Sequence, residues 1–153
     1  MMGPDRNPRD PYDLARFVAA QEADYAQALS EIRSGQKRSH WMWHVFPQLD
    51  GLGSSSTTRR YSIKSVAEAE AYLQHPVLGP RLLEIARATL EVQGRTAAQL
   101  FGSPDDMKLR SSATLFASIS PTGSVFEQLL DRYFGGAPDD QTLRLLDKSS
   151  KGG

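Results

Sequence analysis

Two imidazoles four residues apart, His40 and His44, enclose Trp41-Met42-Trp43. On a helix that spacing puts both rings on one face, as in i, i+4 zinc ligands, but the Glu of H-E-x-x-H is missing and no third ligand is signalled. No metal site is expected. One reading makes Trp41, Met42, Val45 and Phe46 core anchors, with His40 a capping or hydrogen-bonded residue. Another turns one indole, Trp41 or Trp43, toward a cleft where it stacks on a planar ligand. Lys37 or His40 beside it would then supply charge or a proton, and His40 is the candidate for proton transfer. Residues two apart project about 200° apart on a helix and about 180° apart on a strand, so the indoles are expected to do different jobs. One anchors the fold, and the other is free to meet a ligand or partner.

A second constellation follows. In Gly51-Leu52-Gly53-Ser54-Ser55-Ser56 the glycines let successive backbone N–H groups converge on one anion, and the serines add hydroxyl donors. Arg59 and Arg60 then offer forked guanidinium groups suited to phosphate or carboxylate. The segment lacks the Lys of a Walker loop and the third Gly of a dinucleotide fingerprint, so no cofactor is implied. An anion site and a plain surface loop both remain open. In the 105–118 stretch, Ser111, Thr114 and Ser118 form a stripe of small hydroxyl side chains. It either permits close helix packing or lines a polar pocket with Asp106, Lys108 and Arg110 at its rim. No G-x-S-x-G elbow supports a Ser-His-Asp triad.

The elements that must position these residues read as helices. Asp10 is placed to cap a first helix, Pro11 fits its first turn, and Gly35 stops it after Arg33. Leu14, Phe17, Val18, Tyr25, Ala28, Leu29 and Ile32 keep one apolar stripe, with Gln21 as a polar interruption that could mark a break. Ser65-Val66-Ala67-Glu68 has the capping-box pattern, and that helix should end before Pro76, leaving His75 a structural role at the boundary. Further helices are expected over 80–92, 96–101, from Ser103-Pro104 to Ser120, around 125–133 and after the Asp139-Asp140 cap. Only 60–63 resembles a strand, and 50–58 is a long irregular stretch. The expectation is an all-α fold: a single compact multi-helix domain over 10–147 with one long Gly/Ser-rich loop, and flexible termini at 1–9 and 148–153.

With 153 residues the chain is long enough to bury a substantial core without a disulfide or metal, and its zero cysteines exclude thiolate chemistry. No apolar run approaches a membrane span, so a cytoplasmic protein without a membrane partner is expected. The formal net charge of zero is unevenly spread: residues 33–64 hold six Lys/Arg against Asp50 alone. A sequence pI of 6.8 argues against a nucleic-acid binder despite that patch.

The strings DPYDLARFVAAQ, RSGQKRSHWMW with FPQ and GLG, HPVLGPRLLE and FGSPDDMKLRSSATLF resemble the uncharacterised bacterial family catalogued as domain of unknown function 1810, sometimes mislabelled calpastatin. The likeness runs from Asp10 to about Leu146 and implies a mainly helical fold, with no established activity. In the family's pattern an aromatic often stands where this chain has His44, which counts against an essential role for that imidazole. A more remote likeness, to the NADAR group of N-glycosidases acting on ADP-ribose derivatives, matches no motif residue by residue and assigns no role. Together these readings favour a domain, monomer or homodimer, that binds and could process a small anionic, phosphorylated or nucleotide-like ligand. The alternative is a non-catalytic protein interaction module built on the same aromatic and basic residues.

Overall fold

The computed structural model describes residues 9–53 and 55–152; Ser54, and most of the N-terminal segment expected to be flexible, lie outside the described residues. Nine helices are present among them: α1 Ala15–Ser34, α2 Met42–Val45, α3 Ser56–Arg60, α4 Val66–Gln74, α5 Leu78–Glu91, α6 Ala97–Phe101, α7 Asp105–Ser118, α8 Val125–Phe134 and α9 Asp140–Gly152. The fold is all-α. The strand-like stretch contributes one isolated parallel bridge, Leu49 to Ile63. Packing runs from α1 to α5, from α5 to α8, from α8 to α7, and from α7 to α9, while α2 sits on α1, α4 on α5 and α6 on α7. One apolar core threads these contacts, with Phe17, Trp41, Phe46, Tyr72, Phe116 and Phe126 among its largest buried side chains.

Local chemistry sets most boundaries. The Ser65 hydroxyl accepts from the Glu68 amide, and the Ser124 hydroxyl from the Glu127 amide. Thr96 and Gln99 close a full capping box at α6. Gly35 ends α1 at φ 89°, a left-handed conformation that costs glycine little. His75, just before Pro76, accepts the amides of Val77 and Leu78 on Nδ1 and so joins α4 to α5.

Three details differ from the sequence reading, and a fourth, at Gln21, decides between alternatives it left open. α1 begins at Ala15, not Pro11, because Pro11 to Asp13 form an extra turn with Asp13 at φ 52°. Asp10 still caps, its two carboxylate oxygens accepting from the Leu14 and Ala15 amides at 2.7 and 2.9 Å. Gln21 does not break α1: it is buried, donating to the His44 carbonyl at 2.7 Å and the Tyr72 hydroxyl at 3.0 Å. The long irregular stretch tightens into α3, capped by Ser55, and Pro104 rather than Ser103 stands at the start of α7.

Candidate functional site

Part of the first constellation folds inward. Glu31, on the last turn of α1, is buried and gathers the returning chain: its Oε1 accepts the amides of Arg38 and Ser39 and the Trp41 indole N–H at 2.8 to 2.9 Å. Its Oε2 accepts from the Ser39 hydroxyl and the Gln27 amide. Burial alone would raise its pKa, but these donors outweigh burial and bring the carboxyl down to about 2. Trp41 is 1% exposed and packs against Phe46 and Phe101. Lys37 lies over the Trp41 ring at 5.0 Å and pairs with Asp105 at 2.8 Å, its side chain only 7% exposed. Both are therefore engaged within the fold. Trp43 is half-buried, so the two indoles do occupy different environments.

The imidazoles do not converge. His40 is exposed, whereas His44 is buried with Nε2 2.9 Å from an Asp24 carboxylate oxygen. Its Nδ1 has no hydrogen-bond partner. Burial pushes the His44 pKa down, and the Asp24 charge and hydrogen bond oppose that only in part. The described residues hold no group of three His, Asp or Glu that could hold a metal ion.

The second constellation divides around α3. Arg59 and Arg60 line a cavity of about 610 Å³ with Tyr12, Asp13, Arg16, Lys64, Ser65 and Glu68. Arg16 is fixed there: it pairs with buried Glu68 at 2.6 Å and donates to the carbonyls of Tyr12, Asp13, Arg60 and Ser62. Lys64 is held by the Ser62 hydroxyl at 2.7 Å and Asp50 at 3.3 Å. The Ser62 hydroxyl and Lys64 hold the Asp50 carboxyl below its usual range, with burial opposing them. Arg59 and Arg60 are exposed, and neither makes an ion pair among the described residues, although Arg60 lies over the Tyr61 ring at 5.6 Å.

The glycines face elsewhere. Gly51, at φ 105°, packs on Leu145 of α9 and lines a cavity of about 210 Å³ with Arg144 and Lys148. Gly53 lies so close to Thr58 that a Cβ there would sit 2.3 Å from its Cγ2. It lines a third cavity, of about 260 Å³, with Gln48, Leu52, Thr58, Pro104, Met107, Lys108, Ser111, Asp139 and Gln141. Gly51, Gly53 and the two arginines thus do not share one cavity, and Ser54 lies outside the described residues. Arg110 donates to the Ala137 carbonyl at 2.9 Å and stacks on Phe134, tying α7 to the chain leading into α9. In the hydroxyl stripe, Ser111, Thr114 and Ser118 donate back to carbonyls of their own helix, which suits close packing.

Sequence reasoning missed Glu31, Asp24 and Arg16. Each is an ordinary polar residue on an amphipathic helix, and its partners lie on segments that only the fold brings near. Gln21 carried a signal, since a polar residue inside an apolar stripe is either a break or a buried hydrogen-bonding group.

The fold is all-helical, with clefts lying on either side of α3. The chain belongs to the family described as protein of unknown function (DUF1810), whose profile matches residues 11–146. It is similar to the conserved hypothetical protein Rv1873 from Mycobacterium tuberculosis, at 53% identity over 90% of this chain and 99% of that chain, with a TM-score of 0.88. No curated protein matches it. No helix among the described residues is long and apolar enough to cross a membrane.

Proposed function

We propose that this protein binds a small anionic ligand, phosphorylated or nucleotide-like, in the cavity lined by Arg59 and Arg60. The observation that carries the reading is that these two guanidinium groups line one cavity and neither forms an ion pair among the described residues. Of the four cations that line it, Arg16 is paired with Glu68 and Lys64 with Asp50, so Arg59 and Arg60 carry the excess positive charge. Ser65 lines the same cavity and caps α4, so the positive end of that helix adds to the field. Asp13 stands among the lining residues in the left-handed region, a conformation uncommon outside glycine that clusters at binding sites. The volume falls within the roughly 300 to 1,000 Å³ typical of small-molecule sites. Support for the interaction-module alternative is thin: the described large apolar side chains that stand exposed are Met107 and Leu143.

A thermal-shift titration with phosphate, pyrophosphate and nucleoside phosphates tests the reading, since a ligand bound only by the folded state raises its melting temperature by mass action. The stabilisation should be lost in the Arg59→Gln/Arg60→Gln double variant. If the double variant responds like the parent, the anion is bound elsewhere and the reading fails.

A further inference from the structure

We propose that the separate cavity between α3, α7 and the start of α9 binds a ring carrying adjacent hydroxyl groups, of the size of a single sugar. The proposal does not rest on the anion reading, because Arg59 and Arg60 do not line this cavity.

Residues far apart in sequence build it: Gln48, Leu52, Gly53 and Thr58, then Pro104, Met107, Lys108 and Ser111, and then Asp139 with Gln141. Their polar groups keep hydrogen-bonding capacity toward the cavity. The side-chain amides of Gln48 and Gln141 have no hydrogen bond within the protein among the described residues, and each offers two N–H donors and a carbonyl acceptor. Asp139 takes the Thr142 amide and hydroxyl on Oδ2, at 2.9 and 2.7 Å, which leaves Oδ1 to accept. The Ser111 hydroxyl gives its proton to the Met107 carbonyl, so toward a ligand it acts as an acceptor. Lys108 is held near Asp105 at 3.3 Å with its side chain about one-third exposed, and its remaining ammonium protons can donate.

The lining therefore offers both donors and acceptors, and its cation, Lys108, is already paired with Asp105 while Asp139 keeps a carboxylate oxygen free. That pattern selects against a bare anion and suits hydroxyl groups, each of which donates once and accepts as well. Leu52, Pro104 and Met107 add apolar surface to the lining, and Met107 is 45% exposed, unused by the core. A sugar ring has an apolar C–H face to lay against such side chains and a polar edge for the amides and carboxylate. The volume of about 260 Å³ lies just under the roughly 300 Å³ lower end of drug-sized sites, enough for one ring.

The test is NMR or calorimetric titration of the full chain with methyl ribofuranoside, adenosine and glucose, using cyclohexanol as the ring lacking a diol and inorganic phosphate as the bare anion. Saturable binding of at least one diol ring, absent for cyclohexanol, is the expected result. It should weaken about tenfold in Gln141→Ala, as one lost hydrogen bond implies, and remain unchanged in Arg59→Gln/Arg60→Gln. Gln141 is exposed, so its removal leaves the fold intact. Adenosine binding without the methyl riboside would mean that the base is recognised, and that overturns the proposal. So would competition by phosphate, equal binding of cyclohexanol, no binding by any diol ring, or binding indifferent to Gln141.

Discussion

Lys37 with Trp41 and Arg59 with Arg60 carry similar chemistry, and both lie in the strongly basic 33–64 stretch, yet the fold treats them oppositely. Around Lys37 the buried charges have partners inside the protein: the ammonium meets Asp105, and Glu31 collects the amides and indole N–H of the chain that follows. Arg59 and Arg60 form no ion pair among the described residues, and both line a cavity. Residue type marks where charge is present. Whether that charge holds the fold together or meets a ligand depends on which groups are already hydrogen-bonded.

The sharpest way to break this contrast is to remove the anchors. Trp41→Ala should cost about 3 to 5 kcal/mol, as expected for a fully buried aromatic that leaves a cavity, whereas Trp43→Ala should cost less than half as much. Denaturant unfolding of the two single variants measures both. Comparable losses would put Trp43 in the core and end the idea that the two rings do different work.

Glu31 comes next. Glu31→Gln replaces an acceptor oxygen with an amide N–H that faces donors, and should cost about 2 to 4 kcal/mol at neutral pH. The carboxyl is lowered from about 4.5 to about 2 on folding, so the unfolded chain binds its proton more readily. Its contribution is complete above pH 4.5 and is lost as pH falls toward 2, amounting to about 3 kcal/mol. Stability measured across that window should fall more steeply for the parent than for Glu31→Gln. Parallel curves would show that the carboxylate is not what ties residues 38–41 to α1.

His44 provides a smaller, opposite-charge case. Because its folded pKa lies below 6.5, the unfolded state takes up the proton first, and stability declines as pH drops below 6.5 toward the folded value. The group facing the ring is the Asp24 carboxylate, which limits the loss, with Trp43 and Tyr61 as its aromatic neighbours. His44→Phe should keep stability within about 1 kcal/mol at pH 7.5 and flatten the decline between neutrality and pH 5.5, since a ring without Nδ1 leaves no buried polar atom unpaired. A variant that declines as steeply as the parent would assign the acid sensitivity to another group.

The smallest effect is expected at the cavity itself. Arg59→Gln/Arg60→Gln should change intrinsic stability by no more than about 1 kcal/mol, because both side chains are exposed and make no ion pair among the described residues. A larger loss in thermal unfolding without ligand would mean that these arginines hold α3 in place, and the contrast with Lys37 would collapse.

The sequence by itself determined seven of the nine described helices and most of their ends, but not α2 or α3. Ser65, Thr96, Ser124 and Asp139 cap from within a few residues, and Gly35 stops α1, because such hydrogen bonds close inside one turn and depend on little else. That Trp41 and Trp43 would stand in different environments was legible from backbone periodicity. Which indole is core was not legible: Trp41 is fixed by Glu31, ten residues earlier, and by Phe101, sixty residues later. The candidate site shows the same division. Gly51, Gly53, Lys108, Arg59 and Arg60 were recognisable as chemistry-bearing residues, but their distribution among three cavities follows from how α3 is set between α1, α7 and α9. A capping hydroxyl meets its partner through local geometry, while a cavity exists only where distant segments fail to fill the space between them, and that is decided by packing.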